Sequence, residues 1–229
     1  MDGDPAPDAG YIEHPEKLAP WPQRAAFTQR IWFKDQKEHY RTRDRFTKIH
    51  FNPTRIDYLR DVGWWDSLNS AGKEAYQKDA QEVAKYLDQE LKITFSEDPS
   101  KRFKVVDTID EETVIYEFAI VELRPTKAVV NAAGTALGFL VPGGGLVKST
   151  AKGSIAVEVN AYDGANRELL LSWADREIDR VSPFSFRDLS AYGHAHKTIR
   201  RWAEDLLKAW NTPDTVVIED PSPVTLDPF

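Results

Sequence analysis

Thr113-Val-Ile-Tyr-Glu-Phe-Ala-Ile-Val-Glu-Leu123 is apolar on both of its alternating sides, and Pro125 closes it two residues later. A β-branched and aromatic run of this length reads as a central strand buried on two faces. Proline cannot donate to a ladder, which explains the stop. Downstream, Ser154 to Tyr162 alternates, with Ile155, Val157, Val159 and Ala161 directed inward and Ser154, Glu158 and Asn160 outward. Asp163-Gly-Ala-Asn166 is a hairpin signal leading into a further strand, Glu168 to Ile178. Upstream, Arg102 to Asp107 is a short strand. Arg45 to Phe51 alternates through Thr47, Ile49 and Phe51 and ends at Asn52-Pro53.

Two amphipathic helices flank these strands. From Ser70 to about Thr94 the apolar residues Tyr76, Ala80, Val83, Ala84, Leu87 and Leu91 fall three or four apart, with Ser70 as N-cap. From about Leu189 to Trp210 one face carries Ala195, Ile199, Trp202, Ala203, Leu206, Leu207 and Trp210. Asp188 or Ser190 serves as its cap and Pro213 as its stop. The pattern predicts an α+β two-layer sandwich, a mostly antiparallel sheet of four to six strands with both helices on one face.

The ends differ in composition from this body. Residues 1–22 contain five prolines and few periodic apolar positions, as an extended tether would; 23–211 form a single α+β domain; 212–229 are a proline-rich acidic tail. With 229 residues, 41% hydrophobic and 11% aromatic including seven Trp, the chain is long enough for a real core and is not disordered. The absence of Cys excludes disulfides, thiolate metal sites and Cys nucleophiles. No apolar signal core follows Met1, which fits a cytoplasmic protein or a chain whose signal segment precedes Met1.

The net charge of −7 argues against a general polyanion binder, yet it is uneven. Residues 24–60 hold ten Lys/Arg against four Asp/Glu, so the remainder carries −13. This basic stretch, beside Trp32, Phe33 and Tyr40, could stack bases or face anionic headgroups; its plainer reading is pairing with the acidic remainder. His194 and His196 are two apart, about 200° around a helix, so they do not share a metal readily. The strand carboxylates Glu117, Glu122, Glu158, Asp175 and Glu177 offer an acid–base pair such as Glu158 with Asp175, of the kind an envelope-polymer hydrolase would use. Solvent-facing residues paired with Arg124, Arg167 and Arg176 are the structural alternative. There is no G-x-S-x-G elbow, HExxH or phosphate-loop pattern, and neither a catalytic residue nor a cofactor is assigned.

Residues 128–147 (AVVNAAGTALGFLVPGGGLV) are uncharged and contain Gly134-x-x-x-Gly138. Pro142 and three successive glycines argue against a membrane-spanning helix. The segment either covers the sheet, burying Leu137 and Phe139 behind an exposed Pro142–Gly145 tip, or presents Leu137, Phe139, Leu140 and Val141 as a partner contact. Trp32 and Phe33 complete the candidate contact residues.

An ordered series of motifs resembles a family of bacterial secreted lipoproteins of unknown function. It begins with Phe46-Thr-Lys-Ile-His-Phe-Asn-Pro53, a Tyr/Trp-rich stretch and the helix spanning Ala80 to Leu91. Phe103-Lys-Val-Val-Asp107 and Ala119-Ile-Val-Glu-Leu-Arg-Pro125 follow, then the Gly-rich segment, Gly153-Ser-Ile-Ala-Val-Glu158, Tyr162-Asp-Gly164, Asp175-Arg176 and Arg201-Trp-Ala-Glu204. Where members of that family commonly show a Thr-Gly turn, this chain has Gly164-Ala-Asn166. In arrangement the series is similar to small periplasmic lipoprotein domains that scaffold envelope machinery. The resemblance implies a signal peptide and a lipidated Cys upstream, an N-terminal tether, a periplasmic membrane-anchored location and a protein partner. The family has no assigned catalytic residues to carry over; the acidic balance of the chain points to no specific nucleic acid, and the sequence leaves the oligomeric state open.

Overall fold

The computed structural model describes Pro5 and residues 8–21, 28–60, 69–125, 153–178, 192–213 and 215–218. In chain order the described elements are β1 (Arg30–Phe33), α1 (Gln36–Thr42), β2 (Lys48–Phe51), α2 (Ser70–Ser96), β3 (Lys104–Val105), β4 (Thr113–Arg124), β5 (Ser154–Asp163), β6 (Leu169–Ile178) and α3 (Gly193–Asn211). Short 3-10 turns occupy Pro15–Lys17 and Arg43–Arg45.

The six strands form one open sheet in the order β1-β6-β5-β4-β2-β3. β4, β5, β6 and β1 pair antiparallel, while β2 runs parallel to both β4 and β3. The expected α+β architecture is therefore present, as a mixed sheet. β4 is its central long strand, and Val114, Tyr116, Phe118, Ile120 and Leu123 supply the helix-side core. A bulge at Val121 interrupts the pairing between Ile120 and Glu122, so Val121 and Glu122 both belong to the far side.

The apolar stripe of α2 is buried from Tyr76 through Leu91, extended by Gly72 and Phe95. Its cap is Asn69, whose side chain accepts from the Gly72 N–H at 2.8 Å, one residue ahead of the expected Ser70. α3 begins at Gly193 without a side-chain cap; Asp188 and Ser190 lie outside the described residues. Its C-terminus is closed by Arg43, which donates to the carbonyls of Trp210 and Thr212. A cation among the last helical carbonyls meets both their unpaired acceptors and the negative end of the helix dipole. Trp210 also donates to the Tyr116 hydroxyl at 3.0 Å, which ties α3 to the middle of the sheet.

The side of the sheet away from the helices differs from expectation. Ser154, Glu158 and Asn160 point that way, yet they are only 2%, 4% and 6% exposed. The N-terminal segment covers Glu158 and Asn160, while Ser154 bonds Glu122. Ala9, Tyr11 and Tyr58 pack on Ala119, Val121 and Ala156, Ile12 and Leu18 are buried, and Ala19 bridges to Ile31. Gly10, at φ +80°, makes the turn that lets residues 8–12 lie down on the strands.

Candidate functional site

Strand register separates the proposed acid–base pair. Glu158 of β5 is opposite Ala174, and Asp175 of β6 is opposite Val157. Register partners share a face and successive residues alternate. Asp175 therefore joins Val157 on the helix side and Glu158 lies on the other, with the sheet between them. Glu158 with Asp175 is not a catalytic pair.

Each carboxyl has its own structural task. Asp175 accepts from Trp202 Nε1 at 2.7 Å and from the Gln29 N–H at 3.2 Å. Burial pushes its pKa up to about 7, against the Trp202 bond, while the neighbouring Glu177 adds to the rise. Glu177 pairs with Arg201 at 2.6 Å. Glu158 accepts the N–H groups of Ala9 at 2.9 Å and Ile12 at 3.2 Å, so it is the hook that holds the N-terminal segment. Burial raises its pKa and those backbone bonds oppose the rise. Glu117 accepts from Asn52 at 2.6 Å and Arg167 at 3.2 Å.

Glu122, 2% exposed, lies at the end of the sheet where β4 leaves and β5 enters. Its Oε1 accepts from Ser154 Oγ at 2.5 Å and from Arg176 Nε and Nη2 at 3.1 and 2.9 Å. Two more guanidiniums stand beside it: Arg124 Nε at 3.8 Å from Oε1 and Arg60 Nη2 at 4.0 Å from Oε2. Both distances exceed a hydrogen bond. Burial depresses the basicity of Arg60, opposed by the fields of Glu122 and Glu158. Arg124 and Arg176 were legible as carboxylate partners. Arg60 carried no signal of its own, because it arrives by way of the loop after β2, whose Arg60 N–H bonds the Val121 carbonyl at the bulge.

The remaining candidates disperse. Trp32 and Phe33, adjacent on β1, lie on opposite sides of the sheet: Lys17 stacks over Trp32, and Phe33 meets Trp21 and His39. Phe33 also lines a cavity of about 40 Å³ with Thr28, Tyr116 and Trp173, room for a water molecule. Leu137, Phe139, Leu140 and Val141 lie outside the described residues. The basic stretch is divided among separate ion pairs: Arg41 with Glu38, Arg45 with Asp163, Lys48 with Asp110 and Glu112, Lys34 with Glu168. His196 stacks on Tyr86 at 4.3 Å, and no group of three metal-ligating side chains occurs among the described residues.

A family model described as a protein of unknown function (DUF3313) matches residues 33–206, well over half of the chain. The chain belongs to the DUF3313 family. No functionally curated protein matches the sequence of this DUF3313 chain. Among solved structures it is similar to a point variant of the PelC dodecamer from Paraburkholderia phytofirmans, at 10% identity, covering 71% of this chain and 87% of that one with a TM-score of 0.37. A second PelC dodecamer from that organism gives 9% identity, 70% and 88% coverage and a TM-score of 0.36. The hypothetical protein CT253 from Chlamydia trachomatis gives 10% identity, 71% and 94% coverage and a TM-score of 0.34. Likeness at this level carries no argument about the function or assembly of the DUF3313 chain.

Proposed function

We propose that this chain is the non-catalytic domain of a cell-envelope lipoprotein, held at the periplasmic face of a membrane and acting as an interaction or scaffold module for a protein partner. The observation that carries the reading is where the uncharged stretch joins the sheet. Arg124 pairs with Ser154 and Ser154 with Ile178, so β4 leaves, β5 enters and β6 leaves side by side. Arg60 bonds the Val121 carbonyl beside them, and Tyr76, in the second turn of α2, donates to the Leu123 carbonyl. Arg60, Tyr76, Arg124, Ser154 and Ile178, described residues that flank 61–68, flank 126–152 and precede 179–191, meet at this one end of the sandwich. The sequences of those three stretches include Trp64, Trp65, Leu137, Phe139, Leu140, Val141, Phe184 and Phe186. A two-strand connection needs only a few residues, so a span from 125 to 153 is sized for a task of its own. In this reading Leu137, Phe139, Leu140 and Val141 make the partner contact.

The test uses the full chain and a variant with 128–147 replaced by a short Asn-Gly turn, each as bait in an envelope extract, with thermal unfolding to check that both fold. Capture of an envelope protein by the full chain only is the expected result. Recovery of cytosolic proteins alone, or equal capture by both baits, refutes it. Anchoring is tested separately, by palmitate labelling of the product of the native gene. Incorporation into a membrane-fraction band is expected, and an unlabelled soluble product ends that part of the reading.

A further inference from the structure

The sheet end around Glu122 holds three guanidiniums and two carboxylates, and both carboxylates are already bonded. Glu122 Oε1 takes three bonds from Ser154 and Arg176, and Glu158 holds the backbone of the N-terminal segment. Arg60 Nε and Nη2 and Arg124 Nε are shielded from solvent and have no hydrogen-bond partner among the described residues. A shielded donor left without an acceptor is costly, most of all on a charged group. Arg60 and Arg124 approach Glu122 from its two oxygens. Their N–H groups without a hydrogen bond therefore stand on either side of the Glu122 carboxylate, with Arg176 bonded to its Oε1. Guanidinium forks match the spacing of oxygens on phosphate.

We propose that Arg60, Arg124 and Arg176 form a binding site for a phosphate-type oxyanion at this end of the sheet. The ligand is a phosphate monoester or diester group, either free or on a lipid headgroup. Asp8, exposed, contributes its field at Arg60 and opposes an incoming anion, although its Oδ1 is engaged by the Gly10 N–H at 2.8 Å. The site is made of described residues and does not depend on the lipoprotein reading.

The experiment titrates the full chain with inorganic phosphate at constant ionic strength. In parallel it floats the chain with vesicles of phosphatidylcholine alone and with added phosphatidylglycerol. The variants are Arg60→Gln with Arg124→Gln together, Arg124→Lys, and Asp8→Asn, each checked by thermal unfolding in chloride. Expected results are a loss of about tenfold or more in affinity for the double Gln variant, a partial loss for Arg124→Lys, and tighter binding for Asp8→Asn. Phosphate binding without vesicle binding assigns the site to a free phosphate. Vesicle binding that needs phosphatidylglycerol and both arginines assigns it to a headgroup. Binding undiminished in a folded double variant, or no binding of either probe, overturns the proposal. Because neither readout involves a protein partner, this failure is distinct from failure of the scaffold reading.

Discussion

Asp175→Asn should remove most of the pH dependence that this carboxyl imposes on stability. In the folded chain Asp175 is 3% exposed beneath α3, and its pKa rises from 3.8 to about 7, chiefly because burial penalises the charged form. Well below pH 4 both folded and unfolded chains hold the proton. Above that the unfolded carboxyl ionises while the folded one resists, so stability falls as pH rises and levels off above about 7. At about 1.4 kcal/mol per tenfold change in proton activity, the whole effect is roughly 4 kcal/mol, of which about 2.5 kcal/mol falls between about pH 5 and pH 8. Asn keeps the shape and an acceptor for Trp202 Nε1, but presents an amide to the Gln29 N–H or loses the Trp bond, at a cost of about 1–3 kcal/mol. That cost does not vary with pH. Urea unfolding of wild type and variant across this range, followed by tryptophan fluorescence, gives the difference directly and cancels the other raised carboxyls such as Glu158 and Asp88. Wild-type stability minus variant stability should fall by about 2.5 kcal/mol from pH 5 to pH 8. A difference constant to within about 0.5 kcal/mol would show that Asp175 does not hold its proton in the folded chain.

Leu87→Ala removes a side chain with no exposure from the α2 stripe and should cost about 2–5 kcal/mol in urea unfolding; under about 0.5 kcal/mol would place that stripe outside the core. Glu158→Ala leaves the Ala9 and Ile12 N–H groups without their acceptor, so hydrogen exchange should accelerate at residues 9–12 and stay slow in β4 and β5. Gly164→Ala should destabilise more than Gly10→Ala, for different reasons. A Cβ at Gly164 would stand 2.3 Å from the Asp110 carbonyl oxygen and 2.6 Å from that of Thr113. At Gly10 there is open space, and only the positive φ opposes it, at about 1 kcal/mol.

The helices and the long strands were legible because each repeats a period many times: the α2 stripe over seven turns, and β4 and β5 over ten or more residues. β1 was not, since Arg30-Ile-Trp-Phe33 is too short to show a period and its partner, β6, lies some 140 residues later. The face of Asp175 was open to reading, because Leu171, Trp173 and Asp175 alternate in phase. That phase sets Asp175 with the core residues and opposite Glu158. The cover over Glu158 could not be read, because residues 8–12 show no apolar period and are held through backbone N–H groups, which leave no mark on residue identity. Arg60 stayed hidden for a similar reason: its place depends on a bulge in another strand.

The N-terminal segment also sets an order of events for a chain made or moved from its N-terminus. Ala9 and Ile12 bond to Glu158, Gln29 bonds to Asp175, and β1 pairs with β6, across separations of 138 to 149 residues. None of these partners exists while the first half of the chain is emerging. Closing loops that long is slow compared with forming α2 or the hairpin of β5 and β6. Residues 9–12 and β1, which emerge well before their partners, are thus the last to find their places, and until they do β6 is an uncovered edge. A ribosome-bound or translocating intermediate would show a finished hairpin with an open flank, and β1 would be the piece that seals it.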